Sequence, residues 1–184
     1  MHTCPQKLLV GWLAPICLLW SGLAAAQARP VARLPVAPGL SQLVRSSGYI
    51  FSGTVSSIAR AAPSSGNEVA TMRITFRVEQ ALRGVQNGQT LTIHEWAGLW
   101  ESGPHYRLGE RFLLFFYPPS RLGLTSTVGG PIGRFNMDGN GQVILRQTQL
   151  DILRPFPVTL ILRPGGTSVS GQDLARAIEL AGKE

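Results

Sequence analysis

Residues 69–81 read VATMRITFRVEQA, and this stretch decides the fold class. From residue 72 to residue 78, apolar side chains alternate with charged or polar ones. A period of two is typical of a β-strand that buries one face, because successive side chains point to opposite sides of the strand. We therefore predict a strand with one face in a core. The residues of that face are Met72, Ile74, Phe76 and Val78.

Shorter patterns along the chain predict further strands, with a helix at each end. Residues 111–117, RFLLFFY, are apolar without alternation, which predicts a central strand covered on both faces. Residues 122–136 are glycine-rich and predict a loop leading into a short strand, while Asp138-Gly139-Asn140-Gly141 predicts a hairpin. Residues 150–163 are broken by two prolines and predict no element. The other predicted strands are residues 49–58, 90–96 and 142–147, and the predicted helices are residues 40–47 and a segment capped by Ser170 and ended by Gly182.

These elements predict a mainly β fold. We expect a small OB-like (Greek-key) β-barrel of five to six strands, with a short helix before it and a C-terminal helix. Residues 40–184 would form this single domain, with a C-terminal extension that ends in the helix. Residues 27–39 are rich in proline and predict an extended leader.

Residues 1–26 have the three parts of a cleavable secretory signal peptide. Lys7 supplies the positive charge, residues 8–23 form an uncharged apolar run, and Ala24-Ala25-Ala26 and Ala26-Gln27-Ala28 fit the small-x-small cleavage pattern. We expect a mature chain that begins between Gln27 and Arg29. Its localisation would be periplasmic, cell-surface or extracellular.

Removal of the signal peptide changes the cysteine count and the charge. Cys4 and Cys17 both leave with it, so the mature chain would have no disulfide and no thiolate metal site. Seventeen basic and ten acidic residues give a net charge of +7, which becomes +6 without Lys7. The arginines are dispersed and form no basic run with interleaved aromatics, which argues against a nucleic-acid partner. We expect a monomer with no transmembrane segment in the mature chain.

Three short motifs follow one another in the predicted barrel: Phe51-x-Gly53-x-Val55, Phe76-x-Val78-Glu79 with Leu82-x-Gly84, and Gly103-x-x-Tyr106-x-x-Gly109-Glu110. Over roughly residues 40–120 this order resembles the netrin-like module, the OB-type barrel shared with tissue inhibitors of metalloproteinases. Residues 118–135, PPSRLGLTSTVGGPIGRF, are similar to exported bacterial proteins associated with this barrel. Those inhibitors place a free N-terminal cysteine on the protease zinc. The mature chain has no cysteine, so the resemblance implies the fold without that mechanism.

Candidate catalytic and metal-binding residues are few. His94 and His105 are the histidines of the mature chain, and no second histidine follows His94 at metalloprotease spacing. Alternation places His94 on the face of its strand opposite Leu91 and Ile93. No G-x-S-x-G nucleophile elbow and no phosphate-binding loop with its lysine is present. We predict no catalytic residues, no metal and no cofactor, and keep a metal-dependent or hydrolytic enzyme using His94 and His105 as an alternative.

Two tryptophans near the end of a predicted strand indicate a binding surface. Indole rings anchor interfaces, and loops at the rim of an OB-type barrel are common binding sites. We predict that Trp96 belongs to the barrel and Trp100 to a recognition surface formed by residues 96–107 and 118–135, although both rings could instead close the barrel as core. The predicted binding residues are Trp100, His105, Tyr106, Arg107 and Arg121.

The expected function is therefore an exported non-enzymatic binding module for an unidentified protein or polymer. Besides the enzyme, two alternatives remain open. One is a protease-modulating protein similar to the metalloproteinase inhibitors but without their zinc-capping cysteine. The other is a purely structural component of the cell envelope.

Overall fold

The computed structural model describes residues 39–61, 69–103, 105–153 and 166–183, which belong to one compact unit, Pro35–Glu184. The predicted signal peptide and almost all of the predicted leader lie outside the described residues. The same is true of residues 62–68 and of most of residues 150–163. The helices are α1 (Leu40–Ser46), α2 (Ala97–Ser102), α3 (Gln147–Leu153) and α4 (Gly171–Ala181), with a 3-10 turn at Gly130–Gly133. The strands are β1 (Tyr49–Ala61), β2 (Thr71–Arg83), β3 (Thr90–Trp96), β4 (Arg111–Phe116), β5 (Arg134–Met137), β6 (Gln142–Ile144) and β7 (Ser168–Ser170).

The seven strands form one antiparallel sheet in the order β3-β2-β1-β4-β5-β6-β7. The predicted mainly β fold, with a short helix before the sheet and a C-terminal helix, is confirmed. The sheet has seven strands where five to six were expected, because the three residues of β7 are too few to show alternation in sequence. Within the described ranges no ladder joins β3 to β7, so closure into an OB-like barrel remains a prediction.

Strands β1 and β2 are each 13 residues long and pair with one another along their length. The predicted core face of β2 is confirmed, since its four apolar side chains are buried while Arg73 and Arg77 are exposed.

Gly53 lies where β1 approaches the backbone of β2. A Cβ atom at this position would stand 2.6 Å from the carbonyl oxygen of Arg77, so the close approach requires glycine.

Strand β4 is covered on both faces, as its unbroken apolar sequence predicted. Leu113 and Phe115 face a core that also receives the buried sides of α1 and α4. The opposite face of β4 packs into a second core, which we call the aromatic core. Its aromatic members are Phe51, Phe76, Tyr106, Phe112 and Phe116.

The C-terminal helix begins and ends where its sequence predicted. The hydroxyl of Ser170 accepts a hydrogen bond from the backbone N–H of Gln172, which caps the first turn of α4, and Gly182 follows the last turn. Leu174, Ala177 and Ile178 form its buried face. Among the helices of the described ranges, none has the length and apolar character needed to cross a membrane.

The hairpin after β5 is confirmed, but the strand that follows it is shorter than predicted. The Asp138 carboxylate accepts hydrogen bonds from the backbone N–H groups of Asn140 and Gln142, which holds the turn. Strand β6 ends at Ile144, and residues 147–153 are helical, so the prediction of a strand to residue 147 was wrong. The buried Gln149 side chain explains the change, because it accepts a hydrogen bond from the N–H of Arg146 and donates one to the carbonyl of Arg134.

Candidate functional site

The segment after β3 is a short helix, and it reverses the predicted exposure of the two tryptophans. Trp96 is 54% exposed, whereas Trp100 is partly buried against the aromatic core. The prediction that Trp96 belongs to the core was wrong. Odd-numbered residues of β3 face inward, so Trp96 points outward, and one turn of α2 from the buried Ala97 brings Trp100 back to the inner side.

This burial pattern predicts a larger loss of stability when the Trp100 ring is removed than when the Trp96 ring is removed. Trp100→Ala should lower the free energy of unfolding by about 2 kcal/mol, less than a fully buried aromatic, because the ring is partly covered. Trp96→Ala should change it by less than about 0.5 kcal/mol, since most of the ring already contacts solvent. Thermal unfolding followed by circular dichroism measures both. Equal destabilisation by the two substitutions would contradict the assignment.

The other predicted binding residues separate into buried and exposed groups. Tyr106 is only 4% exposed, and its ring meets those of Phe76 and Phe112 edge to face at centroid distances of 5.5 and 5.4 Å. The exposed His105 ring stacks on Trp100 at 5.0 Å. The side chains of Arg107 and Arg121 are exposed. Tyr106 is therefore packed in the aromatic core, and its role in binding remains a prediction.

A cleft of about 270 Å³ lies between α2 and the loop that precedes β5. We call it the α2 cleft. Leu99 and Trp100 of α2 line one wall, and Thr127 and Pro131 line the facing wall. Glu95, Tyr106 and Arg134 line its interior. The structure thus brings together parts of the two predicted binding segments, residues 96–107 and 118–135.

Glu95 is the most unusual residue of the α2 cleft. Its side chain is 6% exposed, and its carboxylate accepts no hydrogen bond from the described residues. Burial raises the pKa of Glu95 to about 7, and the opposing charge of Arg134 only partly offsets this effect. At neutral pH the carboxyl group is therefore poised between its protonated and ionised forms.

Arg134 lies beside Glu95 but finds its main partners elsewhere. Its guanidinium lies over the rings of Tyr106 and Phe112, at 4.1 and 4.4 Å from their centroids. It donates a hydrogen bond to the carbonyl of His105 and pairs with Glu110 at 3.8 Å. Burial and, in second place, the charge of Glu95 raise the pKa of Tyr106, so its hydroxyl stays protonated at neutral pH.

Glu95 and Arg134 were not among the predicted functional residues. For Glu95 the signal was present, because the alternation that turns Leu91 and Ile93 inward also turns residue 95 inward. For Arg134 no local signal exists, since its environment is built by Tyr106, Phe112 and Glu110 from other parts of the chain.

The residues in the described ranges form no metal site, since no three of their His, Cys, Asp and Glu side chains are grouped so that they could hold an ion. His94 is partly buried on β3, where its carbonyl accepts a hydrogen bond from the N–H of Thr125. His105 instead stacks on Trp100. What the cleft offers chemically is a titratable carboxyl group with apolar and aromatic walls.

We compared the chain with protein families, curated proteins and solved structures. Neither a protein-family model, nor a curated protein, nor a solved structure matches this chain. The netrin-like resemblance consequently remains a prediction, and the functional argument rests on the geometry of the α2 cleft.

Proposed function

We propose that this chain is an exported, non-enzymatic binding module with a netrin-like OB-type barrel, and that its ligand enters the α2 cleft. The observation that supports this most is the buried Glu95 carboxylate, which reaches the cleft without a hydrogen-bond donor from the described residues. Apolar walls with one or two convergent polar groups are typical of ligand sites. The polar group stands on a strand paired along its length with β2, so the site is rigid.

An enzymatic role for Glu95 is the second candidate. A carboxyl group whose pKa is raised to about 7 in a cleft suits a general base. General-base catalysis also requires a nucleophile or an activated water held beside that base. Of the cleft-lining hydroxyls, that of Ser102 donates its hydrogen bond to the carbonyl of Gly98, and that of Tyr106 stays protonated. The third, on Thr127, makes no hydrogen bond to Glu95. Binding without catalysis is therefore the better-supported function.

Filling the cleft tests the proposal without disturbing the core. Ser102 is exposed, lines the cleft and ends α2, so Ser102→Trp should occupy the cleft and leave the fold intact. Ser57→Trp, at an exposed position of β1 outside the cleft lining, is the matched control. We expect a partner captured from the secreted fraction of the source organism to bind the parent chain and Ser57→Trp alike. Its recovery should fall at least about tenfold with Ser102→Trp, in keeping with the loss of a central contact.

The outcome that would overturn the proposal is equal capture by all three proteins. Circular dichroism of Ser102→Trp should match that of the parent chain, which separates a blocked cleft from a misfolded domain. Capture that depends on Arg107 or Arg121 but not on Ser102 would place the binding surface on the exposed arginines instead.

A further inference from the structure

Glu95 is a buried acceptor that the described part of the fold does not satisfy. A carboxylate that is mostly buried and has no donors is costly, because it has lost most of its water and gained no hydrogen bond in exchange. The cleft gives a ligand access to this group. A donor that enters the cleft would therefore supply an interaction that the packing around Glu95 lacks.

We propose that the α2 cleft binds a cationic group, a primary ammonium or a guanidinium on a short alkyl chain, with Glu95 as its counter-charge. This inference rests on the proposed function and specifies its ligand. A lysine side chain of a polypeptide and a free alkylamine share this chemistry. A cationic group satisfies the buried carboxylate both as a donor and as an opposite charge, and charge-assisted hydrogen bonds are the stronger ones.

The charged groups around the cleft carry one negative charge in excess, which one positive group would neutralise. When Glu95 is ionised, it and Glu110 carry two negative charges against the single positive charge of Arg134, which is engaged by Glu110, the His105 carbonyl and two aromatic rings. On α2, the exposed Glu101 pairs with Arg60 at 3.0 Å. The cleft-lining residues of the facing loop carry no charge.

Among the described residues, the remaining titratable groups near the site do not offset the negative charge of Glu95. The positive charge of the exposed Arg146 lowers the pKa of Arg134. Arg146 is not among the groups that shift the pKa of Glu95. Tyr106 stays neutral. His105 is exposed to solvent, and its ring stacks on Trp100.

The walls of the cleft fit the rest of such a ligand. Trp100 lines the cleft, and an indole ring attracts a cation that lies over its face. Leu99 and Pro131 supply apolar surface for an alkyl stem. A volume of about 270 Å³ lies just below the range for ligand pockets, roughly 300–1,000 Å³, which suits a single side chain.

Ligand binding should depend on pH in a defined direction. A cation binds the ionised form of Glu95, and the pKa of about 7 leaves only a few per cent of this form at pH 5.5. Affinity should therefore rise about 30-fold between pH 5.5 and pH 8, since the apparent dissociation constant scales inversely with the competent fraction. Glu95→Gln should abolish the part of this change that Glu95 causes, because glutamine cannot ionise.

Isothermal titration of the purified chain with three ligands tests the inference. They are Nα-acetyl-lysine methylamide, Nα-acetyl-norleucine methylamide, which lacks the ammonium group, and n-butylamine. At pH 8 the lysine derivative should bind at least about tenfold more tightly than the norleucine derivative. Glu95→Gln should remove this preference. Glu101→Gln, which removes an exposed carboxylate on α2, should retain it. Tighter binding of the lysine derivative than of butylamine indicates a polypeptide ligand, and equal binding indicates a free amine.

Three results would overturn the inference: no binding of the lysine derivative at millimolar concentration at pH 8, equal binding of the norleucine derivative, or unchanged binding by Glu95→Gln. The proposed function fails separately. If capture of a partner depends on Ser102 but not on Glu95, the cleft binds a ligand of other chemistry. If capture is indifferent to Ser102, the cleft is not the binding site.

Discussion

Phe76→Ala should lower the free energy of unfolding by about 3–5 kcal/mol, the usual effect of removing a fully buried aromatic ring. The Phe76 side chain has no solvent exposure and lies at the centre of the aromatic core. Its ring centroid is 5.6 Å from that of Phe51, 5.5 Å from that of Tyr106 and 6.0 Å from that of Phe116. The substitution would therefore open a cavity among three other rings.

Such a loss is large for a domain whose total stability is about 5–15 kcal/mol. Chemical denaturation followed by circular dichroism measures it, and Leu122→Ala is a suitable control because Leu122 is 79% exposed. We expect Phe76→Ala to unfold largely at growth temperature while Leu122→Ala behaves as the parent chain. A shift in melting temperature of less than a few degrees for Phe76→Ala would contradict the assignment of Phe76 to the core.

Glu95→Gln should stabilise the protein above neutral pH. The pKa of Glu95 is raised from 4.5 to about 7, so the folded chain favours the protonated form. One pKa unit corresponds to about 1.4 kcal/mol, and ionising Glu95 therefore costs the folded chain about 3 kcal/mol relative to the unfolded chain. Glutamine keeps the shape of the protonated side chain and cannot ionise.

The sign of this effect sets its pH window. The contribution of Glu95 to stability is fully present below pH 4.5 and is lost as the pH rises through about 7. At pH 8 the melting temperature of Glu95→Gln should exceed that of the parent chain by on the order of 10 °C. The difference should shrink as the pH falls toward 4.5. Glu101→Gln is the control, because its exposed ion pair contributes little at any pH, and a constant difference across the range would contradict the burial of an ionisable Glu95.

Strand β3 shows how far local pattern predicted the fold and where it stopped. Its limits, residues 90 and 96, and the inward direction of Ile93 followed from alternation alone. The same alternation also places Glu95 inward and Trp96 outward. Trp96 had nevertheless been predicted to belong to the barrel, and Glu95 had not been predicted as a site residue. Chemical type had suggested the opposite, because a carboxylate is rarely buried and an indole rarely exposed.

Strand β6 shows a second limit of local pattern. Residues 142–147 have a strand-like sequence, but the chain turns into α3 because the Gln149 side chain bonds the backbone of Arg146 and Arg134. One of these partners is fifteen residues away in sequence. A contact of this kind follows from the packing of β5 against α3, which no short window of sequence contains.

The sequence by itself determined the β-rich class, the faces of β2 and β4, the hairpin after β5 and the capped C-terminal helix. Each of these depends on residues close together in the chain, through side-chain period or turn chemistry. Only the tertiary structure decided the candidate site. Glu95, Trp100, Tyr106 and Arg134 come from β3, α2, the following turn and β5, and the α2 cleft exists because sheet pairing brings these segments together. The raised pKa of Glu95 has the same origin, since burial by distant parts of the chain is its main cause.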